Sequence, residues 1–77
     1  MNLYAVYDTL AQESGPLFEA KNDEVAKRSF MNLIFRGEVL RPDEYSLFLI
    51  GRYDHENMEV FVHEKVKIDV EVQKDGK

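Results

Sequence analysis

Cysteine is missing from this sequence. That excludes disulfide staples and thiolate metal sites, and is compatible with a reducing compartment. Tryptophan is missing too, and proline and glycine are sparse, two and four in 77 residues. The glycines, Gly15, Gly37, Gly51 and Gly76, match neither a dinucleotide fingerprint nor a phosphate-binding loop. Apolar runs last only a few residues, far short of the roughly 20 that a membrane span needs. The opening MNLYAVYD carries an acid and lacks the basic start and long apolar stretch expected of a signal peptide. Basic residues are outnumbered, 10 against 15 acids, for a net charge of −5. That balance opposes non-specific attraction to nucleic acid or anionic membrane, though a local basic patch remains compatible with it.

What is present is a globular composition, 44% apolar and 32% charged. The length fits one domain over residues 1–77. A chain this small buries only about 60% of its unfolded surface, so its core is small. Dimerisation is a common way for such a chain to gain buried area.

The stretch Gly15–Phe35 organises the rest. After the Gly15-Pro16 turn and a short apolar run, the apolar period changes at Asn22 from two to about 3.6. Asn22 is an expected N-cap, and Asp23 and Glu24 favour the positive end of a helix dipole. Val25, Ser29, Leu33 and Ala26, Phe30, Ile34 form two adjacent rows on one side of a helix expected over about Asp23 to Arg36, with Gly37 as its stop. Ahead of it, Leu3–Tyr7 reads as a central strand with apolar side chains on both faces, and Leu17–Lys21 as a short second strand. Asp8–Ser14 reads as a loop. Glu38–Asp43 is a connection restarted by Pro42.

Tyr45–Tyr53 is the most apolar strand, and Gly51 within it marks a bulge or a close backbone approach. Asp54–Asn57 is a turn without the glycine that tight hairpins prefer. Met58–His63 follows as a strand. Val66, Ile68, Val70 and Val72 then alternate with charged residues, either continuing that strand or forming another. Residues 73–77 are expected to fray. The fold class is therefore α+β: a small antiparallel sheet of four to five strands in ββαββ order, with one helix on one face.

No catalytic or metal site emerges. His55 and His63 lack a partner histidine at ligand spacing and read as solvated. Asp23 and Glu24 are explained by capping. Ser14, Ser29 and Ser46 lie beside neither histidine in sequence. The expectation is a non-enzyme without cofactor or metal.

The aromatics, four tyrosines and five phenylalanines, carry two readings. Core packing is one. Stacking of single-stranded bases on an exposed sheet, near Lys21, Lys27, Arg28, Arg41 and Arg52, is the other. Met31 and Phe35 fall opposite the apolar arc of the helix, either widening the core or forming a strip for a partner.

Three segments resemble the small nonstructural protein of gokushovirus-type microviruses, phages with circular single-stranded DNA genomes. They are LYAVYD at Leu3–Asp8, GPLFEAKNDEVAKRSF at Gly15–Phe30 and RPDEYSLFLIGRYD at Arg41–Asp54. In order and spacing they cover about half of the chain. The short connection at Gly37–Leu40 and His55-Glu56-Asn57, in place of a Thr-Gly turn, depart from that pattern. The resemblance implies a phage protein of the infected bacterium's cytoplasm that acts in viral single-stranded DNA synthesis. It would bind single-stranded or duplex DNA, or viral or host replication proteins.

On that basis Lys21, Lys27, Arg28 and Arg52 are the expected phosphate contacts, with Tyr4, Tyr45 or Tyr53 stacking bases where exposed. The rival expectation is a homodimeric protein-interaction module. It would use Met31 and Phe35, or pair edges through Val66, Ile68, Val70 and Val72.

Overall fold

A computed structural model describes residues 1–36 and 44–70, and the side chains of residues 34–36 also lie outside the description. The expected connection over residues 38–43, the helix stop at Gly37, and Val72 with the tail fall outside the described residues, as does the side chain of Phe35.

Strand β1 (Asn2–Asp8), the short strands β2 (Glu13–Ser14) and β3 (Phe18–Ala20), helix α1 (Asp23–Arg36), and strands β4 (Tyr45–Asp54) and β5 (Glu59–Ile68) follow in chain order. The architecture is α+β, one helix on an antiparallel sheet. β1 is central. It pairs β4 along one side, while β2 and β3 share its other side; β5 pairs the far side of β4.

β2 falls inside the segment Asp8–Ser14, whose sequence reads as loop. Two exposed residues carry no periodicity, and the strand exists because Tyr7 and Asp8 of β1 offer it partners. The fourth strand and the Val66–Ile68 segment are one strand, β5. The loop between β4 and β5 needs a left-handed residue, and Met58 supplies it at φ 57°.

Helix α1 begins as its sequence dictates. The Val25 N–H donates to Asn22 Oδ1 at 2.9 Å, and the Ala26 N–H to the Asn22 carbonyl at 3.0 Å. The helix lies over Tyr4 and Val6 of β1 and Leu47 of β4, and these close a core with Ala20, Ala26 and Phe30. Tyr4, Phe30 and Leu47 are the largest fully buried side chains. Each is worth about 1.5–3 kcal/mol of transfer free energy.

The expected arc holds along its Ala26–Phe30 row, with Val25 packed beside it and Met31 widening it on the other flank. Leu33 is 58% exposed and Ser29 is exposed, although Leu33 lies only about 20° around the helix from the fully buried Ala26. Seven residues further along the axis, Leu33 lines a groove with Leu17, Phe18 and Phe30. At the helix start the Tyr4 hydroxyl, rising from the sheet, donates to Asp23 at 2.6 Å.

Gly51 is where two backbones meet. A Cβ there would lie 1.9 Å from the Phe61 carbonyl oxygen. Beside it both ladders shift register, and His63, Glu64 and Lys65 of β5 stand opposite Ile50 alone. Three residues against one make a special bulge that bends the strand.

Candidate nucleic-acid interface

In an antiparallel ladder, paired residues project to the same side and successive residues alternate. The register therefore sorts every side chain. Tyr4, Val6, Leu47, Leu49, Val66 and Ile68 point toward the helix. Leu3, Ala5 and Tyr7 of β1 point to the other side, joined by Phe48 and Tyr53 of β4 and Val60, Val62 and Lys67 of β5. The helix packs on the other side; in the middle of this second face Leu3 and Ala5 are 8% and 5% exposed, among half-buried rings.

Rings dominate it. Tyr7 meets Phe48 edge-on at 6.4 Å between centroids, and both are half-buried. Tyr53, half-buried, meets His55 edge-on at 4.7 Å. His55 Nε2 lies 2.7 Å from Glu19 Oε2, which anchors the β4–β5 turn to β3. The other histidine is occupied locally: His63 Nδ1 sits 2.8 Å from the Glu64 carbonyl. Among the described residues no group of three metal-ligating side chains is present.

The tyrosines named from sequence divide. Tyr4 is fully buried, so it cannot stack a base. Its hydroxyl pKa is raised, first by burial and then by its hydrogen bond to Asp23. Tyr45 lies half-buried on the helix side, packed against the core. Tyr53 stays on the open face. Tyr7 and Phe48 were missed as platforms. Apolar residues on both faces of β1 and β4 were visible in the sequence, but which face the helix would cover was not.

The basic residues gather at one end of the sheet. Lys21 follows Ala20, which pairs with Asn2, which pairs with Arg52. The N-terminal ammonium lies at the same end, donating to the Tyr53 carbonyl at 2.9 Å. Lys21 and Arg28 are exposed, and Arg28 lies on the second turn of α1. Lys27 is tied to Glu24 at 3.3 Å. The Arg52 guanidinium lies 4.4 Å over the Phe61 ring, on the helix side. Asp54, next along, has its carboxyl lowered below the ordinary value, mainly by its hydrogen bond from Asn57 and in small part by Arg52. The end is thus mixed in sign, with Lys21, Arg28 and Arg52 the better placed cations.

The partner residues named from sequence also divide. Met31 packs inward, and Ile68 and Val70 pack against the core of their own chain. Val66 pairs with Leu49 of the same chain and is 50% exposed. Beneath the helix, a groove of about 410 Å³ is lined by Leu17, Phe18, Phe30 and Leu33, among others. A neighbouring one of about 260 Å³ includes Asp8 and Glu13.

The family model for Phage ORF5 protein matches residues 1–73. No curated protein sequence and no solved structure matches the chain. Among the described residues no helix is long and apolar enough to cross a membrane.

Proposed function

The chain belongs to the phage ORF5 protein family, and on that premise we propose that this phage protein binds single-stranded DNA on the open face of its sheet. It would do so as a non-enzymatic accessory protein of gokushovirus-type microviruses, in the cytoplasm of the infected bacterium, during viral single-stranded DNA synthesis. The observation that carries the reading is the sheet face away from the helix, with Tyr7, Phe48 and Tyr53 half-exposed upon it. Such rings stack on any base, at about 1–3 kcal/mol each. Phosphates leaving Tyr53 would meet Lys21 and the N-terminal ammonium at the end of the sheet, with Arg52 reaching round that end from the helix side. A duplex hides its base faces and offers this surface nothing to stack on.

The net charge of −5 makes the binding weak and local. With three phosphate contacts, log K should fall against log salt with a slope of about −2. Titrating a labelled single-stranded oligonucleotide and its duplex at two salt concentrations tests the reading. Phe48→Ala with Tyr53→Ala should weaken single-strand binding more than tenfold. Unchanged affinity in that variant, or a preference for duplex, would refute it.

A second reading rests on the groove beside Leu33. Its apolar floor, with Glu19, Asp8 and Glu13 around it, suits an apolar segment carrying basic residues from a viral or host replication protein. In that case Leu33→Glu would abolish capture of the partner and leave oligonucleotide binding intact.

A further inference from the structure

β5 ends the sheet, and among the described residues no strand pairs with its outer side. The two halves of this edge differ. The second half is guarded by the devices that keep edges from pairing: the bulge at His63–Lys65 breaks the ladder, and Lys65 and Lys67 place charges along it. The first half has neither between its ends, which are Glu59, the first residue of the strand, and His63, where the bulge begins. There Val60, Phe61 and Val62 are 56%, 42% and 70% exposed on a regular strand.

We propose that a second copy of this chain pairs antiparallel with that first half, Glu59–His63, about a twofold axis at Phe61. The five residues are self-complementary. Val60 falls opposite the partner's Val62, Phe61 opposite its own copy, and Glu59 opposite the partner's His63, an acid against a basic side chain at both ends. The competing registers are worse. Centring on Glu64 sets that carboxylate against itself, and centring on His63 runs the ladder through the bulge. The interface is isologous, as a twofold demands. It also moves the expected edge from Val66–Val72 to the unguarded half of β5.

Pairing of this kind puts the two open faces on the same side of one continuous sheet. Tyr53, Val60, the partner's Val62 and the partner's Gly51 then form one row across it. The two Tyr53 rings come to stand on the order of 16 Å apart, from three strand spacings and a two-residue offset. Where the open face binds single-stranded DNA, the dimer doubles the platform. The dimer itself does not depend on that binding.

The absence of native cysteine gives a clean test by oxidation of single-cysteine variants. Phe61→Cys should form a covalent dimer, because directly opposed residues have Cα atoms about 4.5–5.5 Å apart, inside disulfide range. Val60→Cys mixed with Val62→Cys should yield the heterodimer in excess over either homodimer. Both valines are exposed, so these variants keep the fold even if loss of the Phe61 ring weakens the pairing. A statistical mixture of the three dimers, or cross-linking no faster than a Gln12→Cys control, overturns the proposal. DNA is not needed in the reaction, so its outcome is separate from that of the binding reading.

Discussion

The Tyr4 hydroxyl donates a 2.6 Å hydrogen bond to Asp23 Oδ1, and Asn2 Nδ2 in turn donates to the Tyr4 oxygen at 3.1 Å. Nineteen residues apart, the central strand and the first residue of the helix are locked together at the buried end of a ring. The bond ties the start of the helix to the central strand, on the side of the sheet that carries the core.

Tyr4→Phe keeps the ring and removes the bond, and should cost about 1–2 kcal/mol. It should also change the alkaline limb of stability. The Tyr4 pKa is raised above its ordinary 10.0 in the folded chain. The unfolded chain therefore releases the proton first, so this contribution is complete below about pH 10 and is lost as pH rises through the raised folded value. Urea unfolding at pH 8 and pH 10.5 should show a steeper loss for the wild type than for the variant. Equal losses would mean that Tyr4 is not the group responsible.

Gly51→Ala should be severe. The added methyl would sit 1.9 Å from the Phe61 carbonyl oxygen, and backbone on both sides leaves nothing flexible to yield. A loss of about 3 kcal/mol or more is expected. Thermal melting within a few degrees of wild type would show that β4 and β5 separate there at little cost.

Phe30 and Leu33 form a matched pair on one helix. Phe30 is 2% exposed and Leu33 is 58% exposed. Phe30→Ala should cost about 3–5 kcal/mol, much of what a domain this small has to spare. Leu33→Ala should cost under about 1 kcal/mol. Parallel melts of the two variants check this difference in burial, and similar costs would contradict it.

Local features were legible in the sequence because they depend on neighbours. Asn22 caps the helix because a side-chain oxygen sits three residues before a free N–H, and the period change there is visible at once. Gly51 reads as a bulge or a close approach because a glycine interrupts the side-chain pattern of so apolar a strand, and both are found there. The residues that define the site were not legible. Whether Tyr4 or Tyr7 faces the helix depends on a single phase choice, and β1 is apolar in both phases. Met31 widens the core, one of the two roles its place on the helix allowed, while Leu33 stays 58% exposed because what lies over a given turn depends on residues distant in sequence. Two exposed residues, Glu13 and Ser14, became a strand only through the partners that Tyr7 and Asp8 offered.

The open face is the centre of this account, and nuclear magnetic resonance shift mapping with a short single-stranded oligonucleotide tests it most directly. The account predicts saturable shifts at Tyr7, Phe48, Tyr53 and Val62, with little change along Leu17, Ser29 and Leu33. Shifts confined to the groove beside Leu33, or none at low salt, would contradict it.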